Sequence, residues 1–215
     1  MPHDHAHDHP HELVPDRAEE IGYHQRLGEA VRILLIEKGV LTADEIRRQI
    51  ERMDARGPAL GAQVVARAWV DPAYKARLLS DGRAALRELG YGGGQGEDTL
   101  VVENTPRVHN LVVCTLCSCY PWPLLGLPPV WYKSTPYRSR AVIDPRGVLR
   151  EFGLTLADDV EIHVWDSTAE LRYLVLPERP AGSEHLSEEE LARLVSRDAM
   201  VGVAKVALPQ KGARL

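Results

Sequence analysis

All three cysteines of this 215-residue chain fall within six consecutive residues, as Cys114, Cys117 and Cys119. Thiols crowded this closely oxidise or share a soft metal ion. Whatever the chain folds into must therefore present one short loop whose sulfurs can converge. The residues that follow, YPWPLLGLPPVWYKSTP over 120–136, are rich in proline and aromatic side chains. Proline fixes its own φ and restricts the residue before it, so this stretch predicts a stiff loop. Stiff backbone suits a site that must hold its geometry.

Four chemistries compete for the cluster. A structural zinc site needs four ligands, usually two pairs spaced along the chain. Cys114 and Cys117 offer one pair; there is no second, and His109, the nearest histidine, sits at a poor offset in a predicted strand. A thiol–disulfide site would use Cys114 and Cys117 at the start of a helix, which Cys119 and the prolines disfavour. A buried inert cluster would be an oxidation liability. The fourth option is a compact chelate. Cys117 and Cys119 flank the peptide nitrogens of Ser118 and Cys119, and with both amides deprotonated, two sulfurs and two nitrogens can surround one ion. Cys114, one turn back, would cap that plane and leave a sixth position open. Deprotonating an amide takes a strongly polarising ion, so this arrangement favours a trivalent metal over zinc, and an open position on a Lewis acid is a catalytic feature.

The rest of the chain limits the alternatives. A net charge of -5 gives no electrostatic case for nucleic acid or an anionic membrane surface. No apolar run approaches the length of a membrane span, and the polar first twelve residues lack a signal-peptide core, so the expected location is cytoplasmic. Histidines at 3, 5, 7, 9 and 11 make a tract that binds divalent ions loosely or is simply a solvated tail.

The pattern predicts helices first and strands later. Apolar residues at three-to-four spacing mark a helix over 16–38 that stops at Gly39. Thr42 and Glu45 form a capping box for a helix to about Arg56, with Ile46, Ile50 and Met53 on one face. Further helices are expected over 60–69 and from Asp71-Pro72 to about Leu89. A glycine-rich link occupies 91–98. Strands are expected over 99–104 and 108–113, a short helix over 144–152, and strands over 160–166 and 171–176 that suggest a hairpin-like pair. A capped helix opens at Ser187. The fold class is α+β: a disordered His-rich tail over 1–15, a helical N-terminal arm over 16–92, and a layered α/β-sheet globular domain over 93–215 carrying the Cys-rich metal loop. An extended arm that packs on another subunit and a small helical subdomain both fit the early helices.

The stretch VCTLCSCYPWPLLGLPPVWYKSTPYRSR over 113–140 resembles the metal-binding segment of the nitrile hydratase α subunit. The likeness continues through WDSTAELRYLVLPERPAG at 165–182 and RDAMVGVAK at 197–205, and covers the chain from about Glu19 onward. The resemblance implies a lyase that hydrates small nitriles to amides. It implies one non-haem iron(III) or non-corrin cobalt(III) ion per α subunit, held by Cys114, Cys117 and Cys119 and by the amide nitrogens of Ser118 and Cys119. Thr115 is similar to the cobalt-dependent members, where iron members carry serine. Cys117 would be a sulfinic acid and Cys119 a sulfenic acid.

By the same resemblance, Cys119 and Ser118 are the catalytic candidates. The nucleophile is the Cys119 oxygen or an activated water. Tyr120 and Trp122 would line the substrate pocket, and Asp166, Glu170 and Arg172 would stand behind the site, or be solvated charges. Arg138 and Arg140 receive no role. The implied partners are a β subunit, as αβ or α2β2, and an accessory protein that inserts the metal. The alternatives are a thiocyanate hydrolase γ-type subunit, which shares the claw, and a metal or thiol module without turnover.

Overall fold

The computed structural model describes residues 22–91, 98–117 and 119–209. The His-rich tail, most of the glycine-rich link and Ser118 lie outside the described residues.

The chain divides into two compact units between Gln49 and Ile50. The first holds α1 (Tyr23–Glu37) and the start of α2 (Ala43–Asp54). Gly39, at φ 65°, ends the first helix region in the left-handed conformation that glycine tolerates best. The expected capping box forms: the Glu45 amide donates to Thr42 Oγ1 at 3.2 Å, and the Thr42 amide donates to Glu45 Oε2 at 2.8 Å. Tyr23, Leu27, Val31 and Leu34 make an apolar stripe on α1 that is exposed in this chain.

The second unit carries everything from Ile50 onward. It starts well before residue 93, where the pattern had placed the globular domain. The reason is burial. Helix α3 (Ala59–Val70) contributes Val64, Val65 and Ala68, and α4 (Pro72–Ser80) contributes Tyr74 and Leu78, to the same core cluster as Leu111 and Leu174. These helices supply one side of the core that the strands need. The helix expected from Asp71 to Leu89 is two helices, because Asp81 caps a new one, α5 (Gly82–Glu88), by accepting from the Ala84 amide at 2.9 Å.

Four six-residue strands follow: β1 (Asp98–Glu103), β2 (Val108–Val113), β3 (Glu161–Asp166) and β4 (Leu171–Leu176). The hairpin-like pairing expected of the last two does not form. β1 pairs with β4 and β2 with β3, both in parallel. β2 is buried from His109 through Val113, so its backbone groups need partners inside the protein. β3 provides them in a register that runs from Val108 opposite Glu161 to Val113 opposite Asp166. The Trp165 indole adds a side-chain tie, donating to Asn110 Oδ1 at 2.8 Å.

The proline-rich segment, expected as a stiff loop, is largely helical. It folds into α6 (Trp122–Leu125), α7 (Val130–Lys133) and the start of α8 (Thr135–Ile143). Prolines stand in the first turn of α6 and α8, where a missing N–H costs nothing. Gly126, at φ 73°, ends α6 where any Cβ would collide with the Arg56 carbonyl. α9 (Pro145–Glu151), α10 (Glu188–Leu194) and α11 (Arg197–Val201) complete the unit. Among the described residues no helix is long and apolar enough to cross a membrane.

Candidate metal centre

The loop leaves β2 at Cys114 and reaches α6 at Trp122, so its two ends are fixed by a buried strand and a short helix. Between them the three sulfurs converge, all within 4.8 Å of one another. Cys114 Sγ lies 3.5 Å from Cys117 Sγ, and Cys117 Sγ lies 3.2 Å from Cys119 Sγ. None of the three is in a disulfide; Cys114 is buried, Cys119 half-buried and Cys117 exposed. Two sulfurs each ~2.3 Å from one ion would stand ~3.3 Å apart at a right angle and ~3.8 Å apart in a tetrahedron. The observed spacings are short enough for all three sulfurs to share one ion. His109, weighed as a fourth zinc ligand, is buried elsewhere and shares its ring nitrogens with the Gly202 carbonyl and the Asn104 amide.

Among the described residues, six hydrogen bonds hold the loop. The Cys117 amide donates to Cys114 Sγ at 3.3 Å. Asp166 accepts the Thr115 amide at 2.9 Å and the Thr115 hydroxyl at 2.6 Å. Arg138, on α8, donates from Nε to the Cys114 carbonyl at 3.2 Å and from Nη2 to the Thr115 carbonyl at 2.7 Å. Tyr132, on α7 and fully buried, donates its hydroxyl to the Cys119 carbonyl at 2.8 Å. Burial holds the Tyr132 hydroxyl well above its ordinary range, which keeps it a donor.

A cleft of about 290 Å³ opens on the loop, lined by Met53, Cys117, Cys119, Tyr120, Trp122 and Arg172 among others. Burial pushes the Cys119 thiol up to about 12, reinforced by hydrogen bonds with the Cys117 and Cys114 thiols, while the Arg172 guanidinium pulls it back. A bound cation would have to displace these protons. The Arg56 guanidinium stacks over the Trp122 ring at 4.4 Å and fixes that wall of the cleft.

The structure therefore brings together Cys114, Cys117, Cys119, Tyr120, Trp122, Asp166 and Arg172. Glu170 is placed otherwise. Its side chain accepts from the Thr168 hydroxyl at 3.4 Å and its carbonyl accepts the Asp98 amide at 2.7 Å. Tyr120 is 2% exposed and packs edge-on against Tyr132 at 5.0 Å. Sequence reasoning missed Tyr132, Arg138 and Met53. Arg138 and Tyr132 stood in view within the YKSTPYRSR run, but no spacing rule ties them to carbonyls 13 to 24 residues earlier in the chain. Arg140 pairs instead with Glu151, at 2.6 Å.

Comparison with known proteins places this geometry. The family profile described as "Nitrile hydratase, alpha chain" matches residues 23–204. The low-molecular weight cobalt-containing nitrile hydratase subunit alpha of Rhodococcus rhodochrous is 55% identical over 207 residues, covering 96% of this chain and 99% of that one. The thiocyanate hydrolase subunit gamma of Thiobacillus thioparus is 42% identical, over 86% of this chain and 81% of its own. Among solved structures, a double mutant of the Fe-type nitrile hydratase from Comamonas testosteroni Ni1 superposes with a TM-score of 0.83 at 38% identity, over 92% of this chain and 99% of that chain. A converging three-thiol loop below a cleft, a profile match across nearly all described residues and a relative matched end to end agree on one conclusion: this chain belongs to the nitrile hydratase α-chain family.

Proposed function

We propose that this chain is the α subunit of a cobalt-dependent nitrile hydratase that converts nitriles to amides together with a β subunit. The observation that carries the reading is the convergence of three thiol sulfurs within 4.8 Å on a loop that faces a cleft. Cys114, Cys117 and Cys119 would hold the ion, with the backbone nitrogens of Ser118 and Cys119 completing the grip. When bound, cobalt(III) acts as a Lewis acid that polarises the nitrile and stabilises the charge developing on its nitrogen. Support for cobalt over iron comes from Thr115 and from the cobalt-containing relative at 55% identity.

The chain's own residues have separable tasks in this reading. Trp122, held by Arg56, and Tyr120 supply apolar walls that orient the nitrile side chain and exclude bulk water. Cys117 carries a sulfinate, formed when its thiolate takes up both atoms of one dioxygen. Cys119 carries a sulfenate, formed when its thiolate takes one oxygen from a peroxide that leaves as water. The Cys119 oxygen then faces the cleft, where it attacks the nitrile carbon or accepts a proton from the water that does. Arg172, which lines the same cleft and draws the Cys119 thiol toward its charged form, stabilises negative charge there. Ser118 orients the Cys119 oxygen or the substrate. Asp166 holds the loop rather than the substrate, through the two bonds to Thr115.

The test is to purify the chain with its β subunit and measure bound metal, cysteine mass and hydration of a nitrile panel. One cobalt per αβ pair, two added oxygens on Cys117, one on Cys119 and amide production are expected. Zinc on three unmodified thiols, with no turnover, would overturn the reading. Turnover of thiocyanate in preference to nitriles would favour the thiocyanate hydrolase assignment, to which the 42% identical relative points.

A further inference from the structure

Arg138 is not among the residues that line the cleft, yet its side chain reaches the loop from α8 and is half-buried there. Its Nε donates to the Cys114 carbonyl at 3.2 Å and its Nη2 to the Thr115 carbonyl at 2.7 Å. The amide bonded to the Cys114 carbonyl carbon is that of Thr115, and its N–H goes to Asp166 at 2.9 Å. One peptide plane, Cys114–Thr115, is thus held at its oxygen by a guanidinium from α8 and at its nitrogen by a carboxylate at the end of β3. A planar peptide gripped at both ends cannot swing about its neighbouring dihedrals. Those dihedrals aim the Cys114 side chain, which is buried 3.5 Å from Cys117 Sγ. Asp166 and Arg138 act on this plane from different elements, so neither substitutes for the other.

We propose that Arg138 is a positioning residue for the metal loop, fixing Cys114 in place before the ion arrives. This inference rests on the proposed metal-dependent function and deepens it by assigning a task to a side chain outside the ligand set. A loop that must be ordered at the moment of ion capture loses part of the binding free energy to conformational entropy. A loop already ordered does not, so pre-organisation appears as ion occupancy and as uniform sulfur geometry. The requirement is for arginine, whose rigid fork spans two successive carbonyls. A lysine offers one compact charge and cannot span both.

The experiment compares wild type, Arg138→Lys, Asp166→Asn and the double variant as full αβ complexes expressed at limiting cobalt. The readouts are cobalt per complex, the visible sulfur-to-metal absorption band, the melting temperature of the metal-free complex, and kcat and KM for a small nitrile. Arg138→Lys is expected to lower cobalt occupancy at least ~10-fold and to broaden or shift the band. In the metallated fraction kcat should drop with KM unchanged. The double variant should lose less than the product of the two single losses, because both side chains grip one peptide plane. A purely structural role would lower the metal-free melting temperature and leave the band of metallated protein unmoved, which would overturn the inference. Wild-type occupancy and spectrum in Arg138→Lys would overturn it as well, while leaving the function intact. A wild-type complex that binds no cobalt would overturn the functional reading and this inference together. Arg138→Ala is the harsher variant, and should it fail to fold, the lysine variant decides.

Discussion

Asp166 stands opposite Val113 in the parallel register of β2 and β3, and from that position its carboxylate accepts both the amide and the hydroxyl of Thr115. The strand pairing therefore reaches past the end of β2 into the cysteine loop. The parallel register is what makes a side chain 51 residues away part of the loop's support.

The Thr115 hydroxyl separates two effects at one position. Thr115→Ser keeps the donor to Asp166 and removes a methyl, so cobalt content and activity should stay within about 3-fold of wild type. Thr115→Val keeps the shape and leaves Asp166 one bond short. A hydrogen bond to a charged group contributes about 1.5–3 kcal/mol, and the exposure of Asp166 places this one at the low end. Metal occupancy should therefore fall about 10-fold in Thr115→Val. Equal metal content in the two variants, measured by elemental analysis, would remove the hydroxyl from the argument.

Tyr132→Phe removes the donor to the Cys119 carbonyl without changing the packing of the ring against Tyr120 and Tyr137. Losing this partly buried bond should cost about 1–2 kcal/mol, or about 2–8 °C in Tm for a domain of this size. Thermal unfolding of the metal-free protein reports the cost directly. A Tm within 1 °C of wild type, by the same relation, would mean that water replaces the hydroxyl.

Cys119→Ala removes a proposed ligand and the proposed oxygen carrier together. Nitrile hydration should drop by more than about 10³-fold, beyond what one lost transition-state donor accounts for. A variant shown by elemental analysis to hold a full complement of metal, and still turning over as wild type does, would contradict the assignment.

His109 gives a pH signature of stability that is independent of the metal loop. Burial lowers its pKa from the usual value, so the ring stays neutral in the folded protein, donating from Nε2 to the Gly202 carbonyl at 2.6 Å and accepting from Asn104. The unfolded chain takes up a proton near the ordinary histidine pKa of about 6.5 and the folded chain does not until lower pH. Its contribution to stability is thus full above about pH 6.5 and is lost as the pH falls toward the depressed folded pKa. Urea unfolding between pH 7.5 and 5 should show a steeper loss of stability in wild type than in His109→Gln. Parallel pH profiles would show that the ring takes up its proton alike in the folded and unfolded chains, which would sink the burial argument.

Gly202 closes α11 at φ 96°, and a Cβ there would run into the Asn110 carbonyl on β2. Gly202→Ala should cost about 1–3 kcal/mol from the backbone conformation alone, before any steric shift. The loss should appear as a lower denaturant midpoint with an unchanged slope. A changed slope would point instead to altered compactness of one state.

Much of the local structure is written in short-range chemistry. Thr42 with Glu45, and Ser187 with Glu190, cap their helices as their spacing implies, because a capping box is closed within four residues. Strands β1 to β4 lie within about one residue of their expected spans. The break at Asp81 was less visible, since one carboxylate inside a helical pattern reads equally as a surface residue. Pairing was not legible at all. Strands of six residues with similar composition can join in several ways, and the choice went to the arrangement that satisfies the buried backbone of β2. The helices within 120–136 were hidden for a related reason: proline forbids a helix interior but suits its first turn, and the sequence does not say which one applies.

The sequence by itself determined that three thiols lie close together, because covalent spacing keeps Cys114, Cys117 and Cys119 near one another in any fold. It also determined the aromatic neighbours on the same stretch, Tyr120 and Trp122. Only the tertiary structure decided what holds the loop still. Asp166, Arg138 and Tyr132 come from three separate elements, and their hydrogen bonds exist only once a parallel strand register and two short helices bring them within reach. Chain connectivity sets which atoms are near neighbours; burial of the core sets which distant ones become so.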